Sequence, residues 1–60
     1  MNIYVQFESS AMLTVISFFF SEQDETFYPN QAQIDTSDDR WRDYYESLPI
    51  GVKDGMPAPT

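Results

Sequence analysis

The sequence predicts an α+β fold: a small antiparallel β-sheet of two to three strands packed against one C-terminal amphipathic helix. Three observations carry that expectation. Before Ile34 the apolar residues recur at every second position, the period of a half-buried strand. After Ser37 they recur at helical spacing, with Trp41, Tyr44, Tyr45 and Leu48 at i, i+3, i+4 and i+7. Pro29 and Asn30 break the strand regime ahead of residues 31–35, and Pro49 ends the helical one.

Each element follows from its residues. Over residues 2–7, Ile3, Val5 and Phe7 alternate with Asn2, Tyr4 and Gln6, so a first strand offers one apolar face. Glu8, Ser9 and Ser10 supply a polar turn. Residues 12–20 are rich in β-branched and aromatic side chains, which favours a second strand over the competing helix. Met12, Thr14, Ile16, Phe18 and Phe20 fall on one of its faces; Leu13, Val15, Ser17 and Phe19 fall on the other. A strand apolar on both faces is expected to be central, covered on both sides, or buried by self-association. An acidic loop at 21–25 leads to the turn Phe27-Tyr28-Pro29-Asn30, where Pro fixes one backbone angle and Asn tolerates unusual ones.

Ala32 and Ile34 then alternate with Gln31, Gln33 and Asp35, a short third strand over residues 31–35. Ser37 is the expected N-cap of a helix over residues 37–48, its hydroxyl accepting from a first-turn amide. Asp38 and Asp39 would meet the positive end of the helix dipole. Arg40, Arg42, Asp43, Glu46 and Ser47 take the polar face, with Arg42 spaced to pair with Asp38 and Glu46. After Pro49, the residues Gly51, Gly55, Pro57 and Pro59 argue against regular structure, while Val52 and Met56 are placed to pin the segment to the body. One domain is expected over residues 1–57, with 58–60 as a mobile tail.

Composition bounds the function. A chain of 60 residues buries only about 60% of the surface its unfolded form exposes, so its stability is marginal without a staple or a partner. It has no cysteine and no histidine, which leaves neither a disulfide nor a zinc site to expect. Aromatic residues make up 17% of it, more apolar surface than so short a chain readily hides; a leftover patch marks an interface. Self-association, as a dimer or higher homo-oligomer, or attachment to a protein partner is therefore expected. The net charge of -7 repels nucleic-acid phosphates and keeps an aromatic-rich chain soluble. The apolar run at 11–20 is about half the length of a membrane helix, and no basic start precedes it, so neither a membrane segment nor a signal peptide is expected.

The run Tyr28-Pro29-Asn30, Ile34-Asp35, Ser37-Asp38-Asp39-Arg40-Trp41, Tyr44-Tyr45 and Leu48-Pro49 resembles a pattern in small tail-associated and tail-fibre-assembly proteins of tailed bacteriophages. The resemblance covers residues 28–59, including the Pro/Gly-rich end. It implies a phage or prophage setting: the host cytoplasm during assembly, with the virion as a further destination.

No catalytic constellation accompanies these motifs. Asp35, Asp38 and Asp39 lack the spacing of a calcium loop and read as capping residues. Ser9 and Ser10 have no histidine to activate them, and Glu22, Asp24 and Glu25 read as a solvated loop. No cofactor or metal is expected. The candidate protein-binding residues are Trp41, Tyr44, Tyr45, Arg40, Phe18, Phe19 and Phe20, since Trp, Tyr and Arg dominate binding energetics. The helix stripe is read first as core covering the sheet, with interface as the alternative. The expected function is a non-enzymatic phage structural or tail-associated protein acting as a protein-binding module. The alternative is an acidic phage-encoded inhibitor of a host nucleic-acid enzyme, of anti-CRISPR or anti-restriction type; an enzyme is the weakest reading.

Overall fold

A computed structural model describes all 60 residues. The elements run β1 (Asn2–Phe7), β2 (Val15–Phe19), β3 (Gln31–Asp35), α1 (Asp39–Ser47) and α2 (Ile50–Lys53). The architecture is α+β, with a three-stranded antiparallel sheet, but two short helices follow it where one was expected. The sheet order is β2-β1-β3, so β1 is central and β2 lies at an edge. Of the three readings of the second strand, the edge position removes the central one.

A bulge explains why the second strand looks apolar on both faces. Ser17 stands opposite Gln6 and Val15 opposite Phe7, which leaves Ile16 without a partner. An unpaired residue shifts side-chain parity. Val15 and Phe18 therefore share the core side of the sheet, although their positions differ by an odd number, and Ile16 is exposed. The bulge thus brings Val15 and Phe18, which differ in parity, onto one core face, while Phe19 falls on the opposite one. The strand is also shorter than residues 12–20: residues 8–14 form a loop whose Glu8 carboxylate accepts the Thr14 N–H at 2.8 Å, and Met12 takes φ +55°.

The core lies between the sheet and α1. Ile3, Val5 and Phe7 point inward from β1, joined by Val15, Ile34 and Trp41. Trp41 is 0% exposed. Its ring lies 5.4 Å from Phe18, 5.8 Å from Tyr44 and 6.0 Å from Tyr45 between centroids, within the range where aromatic pairs attract. The opposite face of the sheet is not bare. The 21–30 segment folds back along it, bringing the Tyr28 ring 5.1 Å from Phe19 and letting Gln6 Nε2–H donate to the Pro29 carbonyl. Gln31 fastens the segment with its side chain, donating to the Gln23 and Tyr28 carbonyls and accepting the Gln23 N–H. Asn30 takes φ +64°, the left-handed geometry that Asn tolerates.

The cap of α1 is Asp38, one residue after the expected Ser37. Asp38 Oδ1 accepts the Arg40 N–H at 2.9 Å. Ser37 is already committed: its N–H and hydroxyl both donate to Asp35 Oδ2, a turn that carries the chain one residue further before the helix starts. Pro49 ends the first helix and stands at the N-cap of α2, with extended backbone at φ −61° and ψ 150°. The single turn of α2 thus forms where no regular structure was expected. Gly55 at φ +83° then reverses the chain, a geometry that L side chains resist.

Past Gly55 the chain returns to the core. Trp41 Nε1–H donates to the Pro57 carbonyl at 3.1 Å, and Thr60 N–H donates to the Thr36 carbonyl at 3.1 Å. The hydroxyls of Thr36 and Thr60 lie 3.0 Å apart. Residues 58–60, expected as a mobile tail, therefore end on a hydrogen-bonded pair of threonines. Met56 packs on the core, whereas Val52 is exposed. No helix is long and apolar enough to cross a membrane.

Candidate protein-binding site

The structure places the residues singled out in the sequence differently from one another. Trp41 is buried core, with its one polar atom satisfied by Pro57, so it offers nothing to a partner. Tyr44 and Tyr45 flank it half-buried.

Arg40 is an internal tie. Its Nε–H and Nη2–H donate to the two oxygens of Asp38 at 2.9 and 2.7 Å, a fork that matches carboxylate geometry. Nη1–H reaches the Met12 carbonyl at 2.8 Å, and the guanidinium sits 4.8 Å above the Phe7 ring. One side chain thus joins the helix start, the 8–14 loop and β1. Met12 holds its left-handed backbone where its carbonyl is gripped by Arg40 and its side chain packs on the core. Arg42 pairs with Asp39 at 3.2 Å instead of with Asp38 and Glu46.

The three Phe residues behave differently. Phe18 packs on the core, Phe19 lies against Tyr28, and Phe20 leaves the sheet with 84% of its surface exposed. Phe20 keeps an edge-to-face contact with Phe18 at 5.0 Å. Where it turns away, a groove of about 460 Å³ opens between the ends of β1 and β2 and the 55–57 turn. Ile3, Phe18, Phe20 and Met56 give it an apolar lining, to which Asn2, Tyr4 and Phe19 add. Sequence reasoning found the aromatic wall through the run of three Phe. It missed Met56 and Pro57, which reach the groove only through the Gly55 turn.

The groove exposes backbone as well as side chains. On β1, Met1 O accepts from Thr36 and Phe7 N–H donates to Asn30, so the odd-numbered residues bond towards β3. Even-numbered residues then point towards β2, as alternation in an antiparallel pair requires. Tyr4 and Gln6 meet Phe19 and Ser17 there, but no strand residue stands opposite Asn2 on that side. The N–H and C=O of Asn2 face the groove.

A second, polar groove of about 220 Å³ lies across Tyr4 from the first, lined by Glu22, Glu25, Gln31, Ala32 and Gln33. Tyr4 belongs to both. Neither glutamate has an ion pair. Four other carboxylates are spent on backbone: Glu8 on Thr14, Asp24 on Thr26, Asp35 on Ser37 and Asp38 on Arg40. Asp35 titrates well below the usual carboxylate range, chiefly because the Ser37 hydroxyl donates to it and then because the Met1 ammonium lies 2.9 Å away. Asp38 is also lowered, first by the Arg40 guanidinium, whose own pKa is raised by the same bond. No group of three or more His, Cys, Asp or Glu side chains is placed to hold a metal ion. Compared with known proteins, the chain matches no family model, no curated protein and no solved structure.

Proposed function

We propose that the chain is a non-enzymatic protein-binding module of the phage tail-associated kind, acting in the host cytoplasm during assembly, and that it engages its partner at the open end of the sheet. The observation that carries the reading is the apolar groove beside Asn2, with Phe20 standing exposed at its mouth. A concave apolar site with unpaired backbone suits capture of an extended polypeptide, because main-chain hydrogen bonds and side-chain pockets are met together. The phage setting rests on the resemblance over residues 28–59.

The inhibitor reading has less support. A DNA mimic needs carboxylates free along one surface, and here Glu8, Asp24, Asp35 and Asp38 are turned onto the chain's own amides.

Affinity capture from phage-producing cells tests the proposal, with native chain and Phe20→Ser as parallel baits. A virion component retained by the native chain and lost with Phe20→Ser is the expected result. Retention of a nucleic-acid enzyme instead, unaffected by Phe20→Ser and released by salt, overturns it.

A further inference from the structure

Resting on the protein-binding reading above, we infer that the groove takes an extended cationic segment of a different protein, one that alternates apolar and basic side chains. The position of Asn2 sets the geometry. A segment laid beside its N–H and C=O continues the line of β2 and sends successive side chains to opposite faces of the sheet. On the core face they meet Ile3, Phe18 and Met56. On the other face they meet Tyr4 and, beyond it, Glu22 and Glu25. An apolar residue fits the first environment and a Lys or Arg the second, so the two grooves together specify an alternating pattern.

Charge separates this occupant from a second copy of the chain. The chain has three basic residues, and all are engaged within it: Arg40 with Asp38, Arg42 with Asp39, and Lys53 over the Tyr45 ring at 5.1 Å. A second copy brings a further charge of -7, with both arginines already in ion pairs and Lys53 its one basic side chain outside an ion pair. A basic partner supplies what the site lacks, and opposite charge also speeds encounter.

Short labelled peptides test this by fluorescence anisotropy: alternating Lys-Leu, alternating Glu-Leu, alternating Ser-Leu, and a block peptide with the Lys-Leu composition but the leucines together. The alternating Lys-Leu peptide should bind tightest, more weakly as salt is added. Its affinity should fall several-fold in Glu22→Gln/Glu25→Gln and about tenfold or more in Phe20→Ser, with circular dichroism unchanged in both. Equal binding of the Glu-Leu or Ser-Leu peptide, lost with Phe20→Ser, would overturn the cationic occupant and leave the binding-module reading standing. Equal binding of the block peptide would overturn the extended geometry. If no peptide binds and sedimentation shows a dimer that Phe20→Ser dissolves, the occupant is a second copy and the inference fails. Lys-Leu binding unchanged by both variants removes it as well. No binding by a chain that stays monomeric removes both readings.

Discussion

At the scale of single residues, Trp41 and Arg40 hold the helix by different physics. Trp41 fills the space between sheet and helix, and Trp41→Ala is expected to cost about 3–5 kcal/mol, a large share of the stability of a domain this size. Chemical denaturation checks it; a loss below about 1 kcal/mol would contradict the packing described. Arg40 matters through geometry. Arg40→Lys keeps the charge but loses the fork to Asp38 and the reach to Met12, and should cost about 1–3 kcal/mol in the same measurement. The role of Trp41 was legible in the helical spacing of its stripe. That of Arg40 was not, because one of its partners is a backbone carbonyl 28 positions away, on a loop whose shape no local pattern encodes.

At the scale of elements, β1 and β3 have the predicted bounds because their alternation is unbroken, whereas β2 lost its first three residues to a loop and its last to the groove. The helix start shows how neighbouring capping residues compete. Ser37, Asp38 and Asp39 each suit an N-cap by type, and the outcome turned on Asp35 drawing Ser37 into its own turn. Two variants separate these roles. Asp38→Ala removes the cap and the partner of Arg40 and should cost more than the roughly 1 kcal/mol of an ordinary cap, while Ser37→Ala should stay within about 0.5 kcal/mol. Equal losses would return the cap to Ser37. The second helix escaped the sequence reading because a single turn started by a proline leaves no periodic trace.

At the scale of the whole molecule, acid should loosen the fold. Asp35 and Asp38 titrate lower in the folded chain than in the unfolded one, so folding favours their ionised forms. That stabilisation is present in full above about pH 5, where unfolded carboxyls are ionised, and is lost as pH falls towards the folded values. Thermal melts between about pH 6 and pH 2 should show a falling midpoint. In Asp35→Asn/Asp38→Asn the midpoint should start lower and fall less; an unchanged acid slope would show that other groups govern it. The candidate site was half visible at this scale. Its aromatic wall came from adjacent residues, but its opposite side is assembled from β1 and the Gly55 turn, which only the folded chain brings together.

The bulge at Ile16 makes the chain unusually forgiving of a change in length at one point. Deleting Ile16 leaves Val15 opposite Phe7 and Ser17 opposite Gln6, the pairing already present, so every side chain downstream keeps its face. Deleting Gln33 from β3 has the opposite effect, since no spare residue lies there and one flank of the strand must change face. The first deletion should yield a folded chain with dispersed amide resonances, and the second should not. Relatives that differ from this chain by a one-residue gap are therefore expected to carry it in the second strand, where a codon can be lost while the pairing frame of the sheet is kept.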